Sequence, residues 1–263
     1  MPENEKFLEL EKYSASGNDF LITHTLPSSI NASELALKLC DRHNGIGADG
    51  LVLLKPHKEY AYEWDFYNSD GSKARMCGNA SRCVGLYAFL HSLAPKHHRF
   101  LSGAGVIEVQ ITNESFPYRV SSNLGAYKIF ALNQDNGWDF FDTGVPHLVK
   151  FLESEEEFEN FCIHSMKDLR LQYDSNVNIV FPTDEGYKIK TFERGVENIT
   201  LACGTGMASV VASLYERGAM SGNQVTLIPP SGEHLIFEIE DKHISFEGKV
   251  KKIAKCSVNL DEI

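Results

Sequence analysis

The sequence describes an α/β (α+β) protein in two pseudo-symmetric halves, each wrapping short strands around one buried helix. Three observations carry that expectation. Cys77 opens the run Cys-Gly-Asn-Ala-Ser-Arg-Cys-Val, and Cys203 opens Cys-Gly-Thr-Gly-Met-Ala-Ser-Val, about half a chain length further on. Each opening continues as an alanine-rich run that is apolar around most of a helical circumference, and such a helix belongs inside a core. Each is preceded by an alternating segment that runs into a polar turn: Tyr62–Tyr67 into Asn68-Ser-Asp-Gly71, and Tyr187–Phe192 into Glu193-Arg-Gly195.

In chain order, β-branched and aromatic clusters predict strands at Phe7–Leu10, Phe20–Thr23, Leu51–Leu54 and Tyr62–Tyr67. The first central helix starts behind Cys77 and stops by Pro95, and a strand follows at Val106–Ile111. A boundary near Asn123–Gly125 divides the chain into residues 1–123 and 124–263. The second half brings a strand at Tyr127–Leu132, an acidic solvated helix face at Glu153–Glu159, and strands at Val177–Phe181 and Tyr187–Phe192. The second central helix runs from Cys203 to Gly218 or Gly222. Strands at Gln224–Ile228, Leu235–Ile239 and His243–Glu247 close the pattern.

The composition bounds the function. With 263 residues, 43% hydrophobic and 23% charged, the chain is long enough to bury a core. Its net charge of −11 disfavours nucleic acid, because phosphate binding needs a basic stripe. No apolar run approaches the ~18–20 residues that span a bilayer. The opening Met-Pro-Glu-Asn-Glu-Lys lacks the basic and apolar regions of an export signal. A soluble, cytoplasmic protein with a small-molecule substrate and neither nucleic-acid nor membrane partners is expected. The six cysteines are sparse for a disulfide scaffold, and Cys77 and Cys83 fall on different sides of one helix, so a zinc site is a poor reading.

A thiol at a helix N-terminus meets unpaired N–H groups and the positive end of the macrodipole, which lower its pKa. The following Gly78 or Gly204 lets a ligand approach the backbone. If the halves pack with twofold pseudo-symmetry, both helix ends converge on one cleft. A thiolate on one face of a carbon can then remove a proton while a thiol on the other face returns one, which inverts a stereocentre. Cys40, Cys83, Cys162 and Cys256 lack that context and read as ordinary apolar side chains.

The two cysteine signatures resemble those of the diaminopimelate epimerase family. So do Ser16-Gly-Asn-Asp-Phe20, Arg42-His-Asn-Gly-Ile-Gly-Ala-Asp49, Asn68-Ser-Asp-Gly-Ser72, Gly144-Val-Pro-His147, Asn176-Val-Asn178 and Glu193-Arg-Gly195, in the family's order. The resemblance implies cofactor-independent interconversion of LL- and meso-diaminopimelate, in lysine and cell-wall precursor synthesis. It implies two domains, each a rolled mixed sheet around its helix, and in that family the last residues can return to the first domain. It implies Cys77 and Cys203 as the acid/base pair, with His147 and Glu193 beside them. Asn18, Asn68, Asn79, Asn178, Glu193 and Arg194 would contact substrate, with Gly78, Gly204 and Thr205 as donors at the helix ends. No cofactor or metal is implied, and a homodimer is left open.

The physical reading agrees: helix ends and Arg194 suit a carboxylate, and Glu193 and asparagine carbonyls suit an ammonium. Two positions depart from the family. Val145 stands where Asn often precedes Pro-His, and Gly50 stands where Gln often follows the aspartate. Neither can make the polar contact of its counterpart. The alternatives are a proline or hydroxyproline racemase and a thiol-redox protein, but the second would not need the flanking asparagines.

Overall fold

The computed structural model describes residues 7–27, 29–134 and 137–262, so the opening stretch read for an export signal lies outside it. The chain folds as two compact units. One joins the residues up to Ser122 with those from Lys249 onward; the other is Asn123–Gly248.

The first unit contains β1 (Phe7–Ala15), β2 (Asn18–Thr23), α1 (Ala32–Leu39), β3 (Gly50–Lys55), β4 (Glu63–Asn68), β5 (Lys73–Ala74), α2 (Gly78–Leu90), β6 (His97–Ser102), β7 (Gly105–Asn113) and most of β8 (Tyr118–Ala126). The second contains β9 (Lys128–Gln134), β10 (Trp138–Asp142), β11 (Pro146–Phe151), α3 (Glu155–Glu159), α4 (Ile163–Tyr173), β12 (Asn176–Thr183), β13 (Gly186–Glu193), β14 (Asn198–Ile199), α5 (Gly204–Glu216), β15 (Gln224–Ile228) and β16 (Leu235–Glu240). The final strand β17 (His243–Asn259) begins in the second unit and ends in the first.

The two units repeat one topology. In the first, the strands pair in the order β17, β1, β2, β3, β4, β6, β7, β8; in the second, β9, β10, β11, β12, β13, β15, β16, β17. The parallel steps fall at equivalent places: β2 with β3 and β4 with β6, then β11 with β12 and β13 with β15. The remaining ladders described in these orders are antiparallel. Parallel neighbours need a crossover. The helices supply it: α1 and α2 in one unit, α3–α4 and α5 in the other.

Burial explains the layers. Side chains alternate across a strand. From β2 and β3, Phe20, Ile22, Val52 and Leu54 pack with α2 residues Val84 and Leu86, while Leu21, Leu51 and Leu53 pack with Leu35 and Leu39 of α1. Strand β3 is therefore apolar on both faces, as a covered parallel strand must be. In the second unit, Val180, Ile189 and Phe237 close on Met207, Val210 and Val211 of α5, while Val177 and Ile179 face Met166 of α4. Residues Gly78–Ala88 of α2 are buried without interruption, as are Gly206–Leu214 of α5. This is the α+β architecture expected from the cysteine-led repeat.

Gly50 has a packing reason. A Cβ there would lie 2.6 Å from the Tyr67 carbonyl and 2.7 Å from the Phe66 ring, so β4 leaves no room for a side chain. The acidic segment forms α3 with Phe158 buried and its glutamates exposed, in line with the solvated face expected.

Candidate functional site

Both repeat cysteines stand at the N-cap of a central helix. Cys77 precedes α2 with φ −149° and ψ 123°; Cys203 precedes α5 with φ −120° and ψ 107°. An extended cap followed directly by helix leaves first-turn N–H groups without intrahelical partners, and the dipole's positive end favours thiolate there. Cys77 is half-buried and Cys203 is 8% exposed.

Around the start of α2, the β1–β2 hairpin turns through Ser16 at φ 49° and Gly17 at φ 89°, the two positive angles of a tight two-residue turn. That turn delivers Ser16 and Asn18 to the helix. Arg82 donates to Ser16 Oγ and to Asn79 Oδ1, both at 2.7 Å. Asn79 Nδ2 in turn donates to Asn18 Oδ1 at 2.7 Å, and Asn18 Nδ2 to Asp49 Oδ2 at 2.8 Å. One donor therefore sets the orientation of two successive amides. Arg42 holds the far end, bidentate on Asp19 at 2.7 and 3.1 Å and reaching Asp49 at 2.8 Å. Burial pushes the Asp19 carboxyl up, but its bonds to Arg42 and Lys12 outweigh burial and hold it below the usual range. Asn68 is exposed and donates from Nδ2 to Ser72 Oγ at 3.0 Å, while Asp70 accepts from the Ser72 N–H at 2.8 Å. These bonds brace the turn ahead of β5.

Around the start of α5, His147 on β11 is fully buried. Parallel pairing sets it opposite Asn176 and sets Val149 opposite Asn178. Both asparagines are buried and reach the imidazole: Asn178 Nδ2 lies 3.2 Å from Nδ1, and Asn176 Nδ2 lies 3.3 Å from Nε2. Asn178 Nδ2 also donates to the Leu148 carbonyl at 2.7 Å, and its Oδ1 accepts from Thr191 Oγ1 at 2.8 Å. The amide is thus committed behind the ring. Burial, helped by the charge of Arg194, lowers the His147 pKa to about 3, so the ring is neutral. Nε2 lies 3.0 Å from Thr205 Oγ1, which lies 3.5 Å from Cys203 Sγ. Thr143 fixes the same turn by donating to the Thr205 carbonyl at 2.8 Å.

Glu193, at the end of β13, carries hydrogen bonds to Thr200 and Cys203. Burial raises its pKa, against the lowering effect of both bonds. Arg194 donates its backbone N–H to Asn176 Oδ1 at 2.8 Å, and its guanidinium holds the Asp174 carbonyl and carboxylate at 3.0 and 2.9 Å. Gly204 and Thr205 form the first turn of α5, as Gly78 and Asn79 do for α2.

Within the first unit, Asn18, Gly78 and Asn79 gather at Cys77; within the second, His147, Glu193, Gly204 and Thr205 gather at Cys203, with Asn178 behind His147 and Arg194 braced on Asp174. Sequence reasoning assigned no role to Arg82 or Thr143. Arg82 had a readable signal, a lone cation in a run otherwise apolar all round; Thr143 had none.

A proton acceptor and donor set of this kind, on thiols at helix ends, suits removal and return of a proton on carbon next to a carboxylate. The family profile described as "Diaminopimelate epimerase" matches residues 10–130 and 140–253. The chain is 47% identical over 250 residues to the diaminopimelate epimerase of a Nitratiruptor species, covering 94% of this chain and 96% of that one. It is 46% identical over 261 residues to that of a Helicobacter pylori strain, covering 92% and 93%. Among solved structures, a hydroxyproline epimerase from Agrobacterium vitis, with trans-4-hydroxy-L-proline bound, superposes with TM-score 0.71 at 12% identity, covering 97% of this chain and 93% of that one. That likeness concerns the fold.

Proposed function

Because the chain belongs to the diaminopimelate epimerase family, we propose that it interconverts LL- and meso-2,6-diaminopimelate without a cofactor, with Cys77 and Cys203 as the two acid/base groups. One observation supports the assignment most: the same strand order, twice, makes its second parallel crossover through a buried helix capped by a cysteine.

In this reading one thiolate takes the α-proton and becomes a thiol. The C–H electron pair remains on carbon and spreads into the α-carboxylate. The other thiol gives its proton to the opposite face and becomes a thiolate. Helix-end N–H groups at Gly78, Asn79, Gly204 and Thr205 stabilise the charge that develops on the carboxylate. Asn18, Asn68 and Asn79 on one side and Glu193 and Arg194 on the other would recognise the remaining amino and carboxylate groups. Asn178 serves by holding His147. Such chemistry requires the two sulfurs to address opposite faces of one α-carbon.

The test is turnover of LL-diaminopimelate in heavy water by the purified protein, with Cys77→Ala and Cys203→Ala alongside. Deuterium entering the α-position with inversion is expected for the parent, with loss of at least about a thousandfold in each variant, of the size that loss of an essential acid or base brings. Full activity in either variant, or turnover of proline alone, overturns the assignment.

A further inference from the structure

We propose that Arg82 is a positioning residue for the substrate, gripping at once the turn that carries Asn18 and the amide that Asn18 meets. The inference rests on the reaction proposed above, in which Asn18 and Asn79 contact substrate, and adds the group that fixes how they face it.

The grip comes from one atom. Arg82 Nη2 donates both to Ser16 Oγ and to Asn79 Oδ1, each at 2.7 Å. That nitrogen carries two hydrogens, and a planar guanidinium cannot redirect one without the other. The bond to Ser16 pins the left-handed turn of the β1–β2 hairpin, at φ 49°, two residues before Asn18. The bond to Asn79 decides which end of that amide is oxygen.

The direction of the rest is fixed from both ends. An arginine can only donate, so Asn79 Oδ1 accepts and Nδ2 points onward, to Asn18 Oδ1 at 2.7 Å. Asn18 Nδ2 then donates to Asp49 Oδ2 at 2.8 Å, and the same oxygen accepts the Asp19 backbone N–H at 3.2 Å. Asp49 is anchored in turn. Its backbone N–H donates to Asp19 Oδ1 at 3.0 Å, and Arg42 reaches its other oxygen at 2.8 Å. Turning over either amide, or both together, sets donor against donor at Arg82 or oxygen against oxygen at Asp49.

Burial makes the row rigid. Arg82 is fully buried and Asn79 is 2% exposed, among the apolar neighbours Ala80, Cys83 and Val84. Water cannot replace a bond lost there, so the partners hold one another. Asn18 is half-buried at the head of β2 and, among the described residues, keeps one N–H and one lone pair uncommitted. Those are what a substrate carboxylate or ammonium can meet, and Arg82 sets where they point.

The experiment follows the side-chain amide protons of Asn18 and Asn79 by heteronuclear NMR in the full-length protein, together with KM and kcat for LL-diaminopimelate. Parent, Arg82→Met, Arg82→Lys, Asn18→Ala and the double variant Arg82→Met with Asn18→Ala are compared. In Arg82→Met the amide protons should exchange with water at least about tenfold faster. KM should rise at least about tenfold, the size of one lost bond to a charged group, with a smaller change in kcat. Lysine keeps the charge but ends one bond short of Nη2, so it should loosen the amides as methionine does, and it replaces methionine if that variant fails to fold. In the double variant the rises in KM should combine to less than their product, because Arg82 acts through Asn18. Amides that stay protected in a folded Arg82 variant, or fully multiplicative rises in KM, overturn the positioning role. Exchange needs no substrate, so loosened amides in variants of a parent that leaves diaminopimelate unchanged would sink the proposed reaction and leave the hold of Arg82 on the two amides standing.

Discussion

His147 shows how much one side chain can owe to its surroundings. Its ordinary pKa is 6.5 and burial takes it to about 3, so the folded protein resists a proton that the unfolded chain accepts. Stability from this group is complete above pH 6.5 and is lost as pH falls towards 3, by an amount on the order of several kcal/mol. Urea titrations between pH 7 and pH 4 should therefore show a steeper loss for the parent than for His147→Gln; equal slopes would contradict the buried neutral ring. The alternation of Asn176 and Asn178 was readable as one shared face. Its target was not, because β11 and β12 meet only after the chain has passed through α3 and α4. Local periodicity carries no record of a partner across such a crossover. Arg82 was missed for a related reason: its bonds run to Ser16 and Asn79, and only the folded hairpin brings the first of these near.

Helix α5 is held close to its sheet by a glycine. A Cβ on Gly206 would come 2.5 Å from Asn178 Oδ1 and 3.0 Å from Thr191 Oγ1, the pair that anchors the amide behind His147. Gly206→Ala should gain up to about 1 kcal/mol of helix propensity. It should nonetheless destabilise the protein by about 1–3 kcal/mol, because the added methyl overpacks a buried polar contact. Thermal unfolding reads the sign directly, and a raised melting temperature would contradict this packing. The central helices and the strands before them were legible from apolar coverage and period-two alternation. Strand β6 was not: its inward residues are His98, Phe100 and Ser102, and two polar side chains hide the apolar stripe. The later part of β17 alternates poorly, with Lys251, Lys252 and Lys255 along it, so the expected end at Glu247 falls short of Asn259. Helix α4 buries only Met166, too little to mark it.

At the scale of the full chain, the first unit is discontinuous. Its strand β1 pairs with β2 on one side and with the end of β17 on the other, from Phe7 opposite Asn259 to Ser14 opposite Lys251. Lys252 also bonds the buried Glu11 at 2.6 Å, and Val250 sits in the core around α2. A chain ending at Gly248 should keep a protected second unit while β1 and β2 lose protection by at least about tenfold in hydrogen exchange, the fraction set by local opening free energy. Unchanged protection in β1 would mean that the closing segment contributes little. The closing segment's own pattern did not mark which half it completes; only the family resemblance, with its returning last residues, pointed to the first.

That discontinuity also sets a timetable. A ribosome delivers Phe7–Ala15 early and the segment that closes over it only after all of Asn123–Gly248 has emerged. At about 5–20 residues per second, the outer rim of β1 waits for roughly ten seconds or more with its ladder half made. Such a nascent rim invites a neighbouring chain to add a strand, so soluble yield should depend on how fast translation delivers the segment from Lys249 onward.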